Sequence, residues 1–163
     1  MTLYAIWRAI PAASFTLSST TYTNGGTIPA KCGGNGTNTS PQLSWTNAPT
    51  DSDVETYVLV FLDVTADWWH FRRAIPTSFS SLIEGAIPST PFGPTTYEGP
   101  APGDGRTHTY QFKLYAVRTG YDLMNFGAFR PDGTGQRSWA DLESANAEYI
   151  VDKSNAYSGT FAQ

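Results

Sequence analysis

Apolar and polar residues alternate along the chain in a series of short segments, a period-two pattern that is typical of β-strands. The longest segment, residues 56–64, is an almost unbroken run of β-branched and aromatic residues, which predicts a central strand covered on both faces. Glycine, proline and small polar residues separate the segments, as expected for turns. The pattern predicts a mostly β fold with strands at residues 15–19, 27–29, 42–45, 56–64, 68–75, 110–117 and 156–161.

The connections between these strands differ in length. Residues 15–29 combine two short strand patterns with an Asn24-Gly25-Gly26 turn, which predicts a hairpin. Residues 77–106 are rich in Pro, Gly, Ser and Thr and are too long for a simple turn. Loops of that length are often functional.

Two segments have helical spacing instead. Ser138 is suited to be the N-cap of a helix that runs through Ile150. Residues 1–14 predict a short helix that packs on the domain, while a dimer contact and a lid over a pocket stay open as alternatives. Residues 15–163 are expected to form a single domain. The N-terminal prediction rests on one apolar face, formed by Leu3, Ile6, Trp7 and Ile10.

Composition and charge exclude several classes of function. The 10 Lys and Arg against 14 Asp and Glu give a net charge of −4, so generic nucleic-acid binding is not expected. No basic cluster favours a membrane surface, and the apolar start resembles neither a signal peptide nor a membrane span. A single cysteine, Cys32, excludes an intramolecular disulfide framework. We therefore expect a cytoplasmic protein with no stable membrane insertion.

Four polar residues are candidates for chemistry because they lie at predicted strand ends. Asp63 ends the buried strand, His70 lies in the next one, and His108 and Tyr110 share one face two residues apart. If these ends converge, the cluster has three uses. It can hold an oxyanion through imidazole and phenol donors, it can act as acid and base, or Asp63, His70 and His108 can ligate a metal.

Two ordered blocks of residues resemble the signature of the phosphatidylethanolamine-binding protein family, which includes the Raf kinase inhibitor proteins and the bacterial YbhB-like proteins. The resemblance covers about residues 15–163. The first block consists of Ser40-Pro41-Gln42-Leu43-Ser44-Trp45, Ala48-Pro49, the strand ending at Asp63, and Trp69-His70-Phe71. The second consists of Tyr97-Glu98-Gly99-Pro100-Ala101-Pro102, Gly105, His108-Thr109-Tyr110, Phe112 and Leu114-Tyr115-Ala116.

The resemblance implies a β-sandwich with a few short helices, one of them near the C-terminus, and a small anion-binding pocket at one end. Carried over by motif, the pocket residues are Asp63, His70, His108 and Tyr110, with Pro100 and Pro102 in the wall.

The chain also departs from the family pattern. Asp63-Val64-Thr65-Ala66-Asp67 stands where the family has Asp-Pro-Asp-Ala-Pro, and the insert that follows is almost gone. Thr109 replaces an arginine, and Gly103 replaces a proline. A shortened rim beside Trp68, Trp69 and Phe71 is expected to open the anion site into a wider, more apolar cavity, with Trp69 among the ligand contacts.

The retained quartet favours binding of a small anionic or phosphorylated ligand, such as a phospholipid headgroup, phosphate or carboxylate, with modulation of a partner protein as a further expectation. The alternative is a recruited biosynthetic enzyme. It would use Asp63, His70, His108 and Tyr110 for acid and base catalysis of a cyclisation, conjugate addition or dehydration of a largely apolar molecule. We expect no cofactor and no metal, and homodimer formation stays open.

Overall fold

The computed structural model describes residues 13–89, 95–127 and 137–163. Within them the chain is mostly strand, with one α-helix near the C-terminus and two 3-10 helices at Ala30–Cys32 and Leu123–Asn125. The strands are β1 Thr16–Ser18, β2 Gly26–Thr27, β3 Leu43–Thr46, β4 Thr56–Asp63, β5 Trp68–Ile75, β6 Ser81–Leu82, β7 His108–Val117, β8 Ile150–Lys153 and β9 Tyr157–Phe161. The helix is α1 Trp139–Ala145. The predicted mostly β fold is confirmed.

The strands form two open sheets. The small sheet has the order β1-β3-β6, and the large sheet has the order β2-β9-β7-β4-β5, with β8 paired to β7 beside this path. β4 lies between β5 and β7 and is antiparallel to both. The central position predicted for the strand at residues 56–64 is confirmed, because every residue of β4 is buried.

The main core fills the space between the two sheets. Leu17 and Trp45 of the small sheet face Leu59, Phe61 and aromatic side chains of the large sheet in one cluster. Phe61 and Phe112 stack with ring centroids 4.0 Å apart. The alternation that predicted these strands therefore places one face of each sheet in a shared apolar interior.

The helix α1 covers the outer face of the large sheet. Leu142 packs against Val58, Val60 and Leu62, the residues of β4 that point away from the main core. Ser138 caps the helix as predicted: its side chain accepts the N–H of Asp141, whose carboxylate accepts the N–H of Ser138 in return. The helix ends at Ala145 rather than at Ile150, and Ile150 is instead the first residue of β8.

The predicted hairpin at residues 15–29 is wrong in its pairing. Both strands form, but β1 pairs with β3 in the small sheet and β2 runs parallel to β9 in the large sheet. The turn chemistry is present, since Gly26 N–H donates to the Thr23 carbonyl at 2.8 Å. Hydrogen bonds from Gly25 to Ser158 and from Ile28 to Thr160 then carry the chain to the second sheet.

Three predictions about less regular parts of the chain have different outcomes. The helix predicted within residues 1–14 lies almost wholly outside the described residues. The long connection at residues 77–106 contains the short strand β6. In the three described ranges, no helix combines the length and the apolar character that crossing a bilayer requires.

Shortening a side chain between the sheets tests the core directly. Leu59 is fully buried, so Leu59→Ala should lower the free energy of unfolding by about 2–5 kcal/mol. Ile83 is 76% exposed, and Ile83→Ala should change the free energy of unfolding by less than about 0.5 kcal/mol. Urea unfolding of both variants checks the difference, and equal losses would contradict the placement of β4.

Candidate functional site

The candidate site lies at one end of the sandwich, where β5, β4 and β7 run side by side. Asp63 is in register with Trp68 on β5 and with Tyr110 on β7, so the three side chains form a row on one face. His108 lies two residues before Tyr110 and shares this face. A cleft of about 300 Å³ opens over the row. It is lined by Asp63, Ala66, Trp68, His70, Glu98, Gly99, Ala101, Pro102, Gly103, His108 and Tyr110.

A register shift in β5 turns His70 toward the same cleft. The pairing with β4 shifts between Phe61 and Leu62, whose partners are Phe71 and Trp69. His70 is therefore the extra residue of a β-bulge, an irregularity that re-aims a side chain. Its ring centroid lies 5.1 Å from that of Phe61, on the inner face of the sheet. The bulge thus brings the second histidine beside the row.

The same bulge places Trp69 on the opposite face, where it cannot reach a ligand in the cleft. Its ring centroid lies 5.2 Å from that of Trp139, and it packs in the cluster beneath α1. Strict alternation would give Trp69 the same face as Phe71, which is why the prediction for Trp69 is wrong. Trp68, which is 46% exposed, lines the cleft instead.

Asp63 and His108 form a buried hydrogen-bonded pair. Nδ1 of His108 donates to Oδ2 of Asp63 at 2.7 Å. The other carboxylate oxygen, Oδ1, accepts the N–H groups of Thr65 at 2.9 Å and of Ala66 at 3.0 Å. Asp63 therefore closes the short turn after β4 and orients the imidazole of β7 at the same time.

A second carboxylate faces the other nitrogen of His108. Nε2 lies 3.1 Å from Oδ1 of Asp104, an oxygen that also accepts the N–H of Arg106. The hydrogen bond with Asp63, assisted by the one with Asp104, raises the pKa of His108. Both carboxylates favour the imidazolium, in which both ring nitrogens are donors.

His70 has the opposite protonation behaviour. Its Nδ1 lies 2.9 Å from the backbone carbonyl of Glu98, and because a carbonyl oxygen only accepts, Nδ1 must carry the ring proton. Burial lowers the pKa of His70 to about 4, although the Glu98 carbonyl favours the charged form. His70 is therefore neutral near pH 7 and presents the lone pair of Nε2.

The ring of Tyr110 lies close to both imidazoles. Its centroid is 5.4 Å from that of His70 and 6.2 Å from that of His108. Burial, together with the negative charge of Asp63, raises the pKa of the Tyr110 phenol. The hydroxyl group consequently stays protonated at neutral pH, and its proton is directed at the Asp63 carboxylate.

The loop that carries the Glu98 carbonyl is anchored on the segment around Cys32. The Tyr97 hydroxyl donates to the Cys32 carbonyl at 2.9 Å, and Gly99 N–H donates to Oδ1 of Asn38 at 2.8 Å. A Cβ atom at Gly99 would lie 2.0 Å from the Cys32 carbonyl oxygen, so only glycine permits this close approach. The partner of His70 is thereby held in place.

Of the two prolines that were expected in the wall of the pocket, one lines the cleft and the other does not. Pro102 lines the cleft. Pro100 is buried and is not among the lining residues, and its carbonyl accepts the N–H of Gly34 at 2.8 Å. The structure thus brings Asp63, His70, His108, Tyr110 and Pro102 together and leaves Pro100 out of the cleft.

Sequence reasoning missed two groups that touch the histidines. Asp104 lies four residues before His108 between Gly103 and Gly105, and this spacing is a weak signal because the path of such a loop is not predictable. Glu98 contributes its backbone carbonyl to His70, a role that no residue type reveals. Glu98 is one of the lining residues of the cleft, and burial raises the pKa of its carboxyl group.

The three residues considered from the sequence as metal ligands are engaged in hydrogen bonds. Both oxygens of Asp63 and Nδ1 of each histidine are engaged in the hydrogen bonds described above. In the part of the chain that the structure describes, no group of three or more His, Cys, Asp and Glu side chains is arranged to hold a metal ion. The polar groups of the cleft are arranged as donors and acceptors of hydrogen bonds.

Comparison with protein-family models gives a match to the family described as phosphatidylethanolamine-binding protein over residues 18–161. The UPF0098 protein YbhB of Escherichia coli K12 is 32% identical over 102 residues, which cover 52% of this chain and 63% of YbhB. The alignment therefore spans less than two thirds of that relative.

Two solved structures have the same fold. The phosphatidylethanolamine-binding protein homologue CT736 from Chlamydia trachomatis superposes with a TM-score of 0.63 at 23% identity, covering 92% of this chain and 98% of CT736. YbcL of Escherichia coli, described as a member of the mammalian family, has a TM-score of 0.65 at 20% identity, covering 93% and 99% of the two chains. At these identities the likeness concerns the fold.

The low pKa of His70 predicts a specific dependence of stability on pH. The unfolded chain protonates His70 near its ordinary pKa of 6.5, whereas the folded chain does so only near 4. Stability should therefore fall as the pH drops from 6.5 to 4, by up to about 3 kcal/mol from this group. His70→Gln should remove that part of the pH dependence.

Urea unfolding of both proteins at several pH values measures this difference, and the carboxylates that titrate in the same range cancel in the comparison. An identical slope with pH in the two proteins would contradict the neutral state of the half-buried His70.

Proposed function

This chain belongs to the phosphatidylethanolamine-binding protein family, and we propose that it binds a small ligand through an anionic oxygen, such as that of a phosphate, a phosphorylated headgroup or a carboxylate. The ligand occupies the cleft between Trp68 and Pro102, and its oxygen accepts a hydrogen bond from Nε2 of His108. Asp63 acts as the positioning residue that keeps His108 charged. Tyr110, whose hydroxyl is directed at Asp63, helps to hold that carboxylate in place.

One observation carries this proposal: a carboxylate already lies against the donor. Oδ1 of Asp104 is 3.1 Å from Nε2 of His108. Asp104 belongs to an exposed loop, with its side chain 47% exposed, so it can move away without unpacking the core. The arrangement supports a site in which an anionic group of the ligand replaces the one that the chain provides.

The charges around the cleft favour such an exchange. The imidazolium of His108 offsets the carboxylate of Asp63, and burial disfavours the charged form of Glu98. Replacing Asp104 by a singly charged ligand leaves the local charge unchanged. The binding of an anion therefore requires no additional cation at the site.

The rim accommodates the uncharged part of a ligand. Trp68, Ala66, Ala101 and Pro102 line the cleft together with the polar row. Its volume of about 300 Å³ is at the lower end of what small-molecule sites offer. This apolar wall supports the expectation of a wider opening beside the shortened turn at Asp63. Modulation of a partner protein and a cytoplasmic location remain predictions from the sequence.

A second candidate function, acid and base catalysis, is favoured by the opposite protonation of the two histidines. The pKa of His108 is raised and that of His70 is lowered to about 4, and such divergence within one cleft is characteristic of an acid and base pair. His108 would donate a proton and His70 would accept one during a cyclisation, conjugate addition or dehydration. In that case His70→Ala should abolish product formation while ligand affinity survives.

Binding of phosphate tests the proposed function. Following the ring signals of both histidines by NMR near pH 6, we expect saturable shifts at His70 and His108 on addition of inorganic phosphate or phosphoethanolamine. His108→Gln should weaken binding at least about tenfold, because a charge-assisted hydrogen bond is lost. Unchanged ring signals at millimolar phosphate would refute the proposal.

Replacement of Asp104 provides a test in the opposite direction. Asp104→Asn removes the competing carboxylate and should raise phosphate affinity by about twofold to fivefold. Asp67→Asn is the matched control, since Asp67 lies in the nearby turn at a φ of 53°, a conformation that asparagine tolerates. It removes the same charge from a turn outside the cleft lining, so equal gains in the two variants would show that direct competition at His108 is absent.

A further inference from the structure

The two histidines offer opposite hydrogen-bonding groups to one ligand. His108 is flanked by Asp63 at 2.7 Å and Asp104 at 3.1 Å, so each of its nitrogens faces an acceptor and carries a proton. Nδ1 of His70 donates its ring proton to the Glu98 carbonyl at 2.9 Å. The cleft therefore has a donor at His108 and an acceptor at His70.

The acceptor at His70 is built into the fold. The bulge in β5 turns the ring into the cleft, and Gly99 fixes the loop that presents the Glu98 carbonyl. Rotation of the ring would break the bond to that partly buried carbonyl and leave it without its donor. The unprotonated Nε2 is thus a consequence of the backbone and does not depend on the ligand.

We propose that this cleft selects oxyanions that carry a proton, using His108 to donate to an ionised oxygen and Nε2 of His70 to accept from a P–OH group. The inference rests on the proposed function and narrows its ligand class. Inorganic hydrogen phosphate and a singly protonated phosphate monoester meet the requirement. Sulfate and phosphodiesters, including intact phospholipid headgroups, have no such proton at neutral pH.

The selection follows from the mismatch that a fully ionised oxyanion creates. Its oxygen would point a lone pair at the lone pair of His70, so binding would require protonation of this half-buried ring. Burial lowers the pKa of His70 to about 4, so that protonation is unfavourable at neutral pH. A site built to accept a hydrogen bond rejects an analogue that lacks the proton, and the discrimination can exceed that of a lost apolar contact.

The charge state of the ligand gives the test. Inorganic phosphate retains a P–OH group near pH 7.5, whereas a phosphate monoester loses its last proton with a pKa near 6. Affinities of inorganic phosphate, phosphoethanolamine and sulfate would be measured by calorimetry near pH 7.5 and near pH 5.5 at constant ionic strength. Comparing ligands at one pH cancels the titration of His108.

Near pH 7.5 we expect inorganic phosphate to bind at least about tenfold more tightly than sulfate or phosphoethanolamine. Near pH 5.5 phosphoethanolamine should approach phosphate, while sulfate stays weak. The two pH values thus distinguish free phosphate from a monoester. Sulfate affinity within about threefold of phosphate at both pH values would overturn the inference and leave the proposed function intact. Absence of phosphate binding would instead refute the proposed function.

A variant locates the selection at His70. His70→Gln supplies an amide that can donate as well as accept, so the phosphate preference over sulfate should fall to less than about threefold. Asp67→Asn should keep the wild-type ratio, since Asp67 lies in the turn and outside the cleft lining. An unchanged preference in a folded His70→Gln protein would overturn the assignment to His70.

Discussion

The hydrogen bond between Asp63 and His108 is the interaction on which the rest of the site depends. One carboxylate oxygen accepts two N–H groups of the turn that follows β4, and the other accepts Nδ1 of the histidine on β7. A single side chain therefore sets the shape of the short turn and the charge and direction of the imidazole. Nε2 of His108 can face the cleft as a cationic donor because Asp63 holds the other side of the ring.

The arrangement explains how a shortened rim remains compatible with a binding site. The turn at residues 64–67 is closed by Asp63 itself and by the hydrogen bond from Thr109 N–H to the Thr65 hydroxyl at 2.9 Å. No longer insert is needed to hold the ends of β4 and β7 together. The exposed face of Trp68 and the loop at Asp104 then form the entrance. The departures from the family pattern lie in the rim, and the buried pair of Asp63 and His108 forms beside them.

Much of this structure was predictable from periodicity, and the exceptions have identifiable physical causes. The strand β4 and its buried Asp63 follow from a continuous apolar run, and the shared face of His108 and Tyr110 follows from their spacing. The face on which Trp69 lies could not be predicted, because the β-bulge in β5 interrupts the alternation of its side chains. Pairing partners such as β2 with β9 depend on contacts between residues far apart in the chain, which local patterns do not contain.

The protonation states of His70 and His108 could not be predicted from the sequence either. The tautomer of His70 is set by the Glu98 carbonyl, a backbone group, and the second partner of His108 comes from a glycine-flanked loop. Two histidines that look equivalent in the sequence thus become a donor and an acceptor. This asymmetry, rather than the presence of two imidazoles, is what gives the cleft its chemical character.

The central claim is that the two rings differ in protonation before any ligand binds, and the ¹⁵N chemical shifts of the imidazole nitrogens near pH 6 measure this directly. We predict two protonated nitrogens in His108, and in His70 a protonated Nδ1 beside an unprotonated Nε2. Two rings in rapid exchange between tautomers, or a protonated Nε2 in His70, would contradict the account.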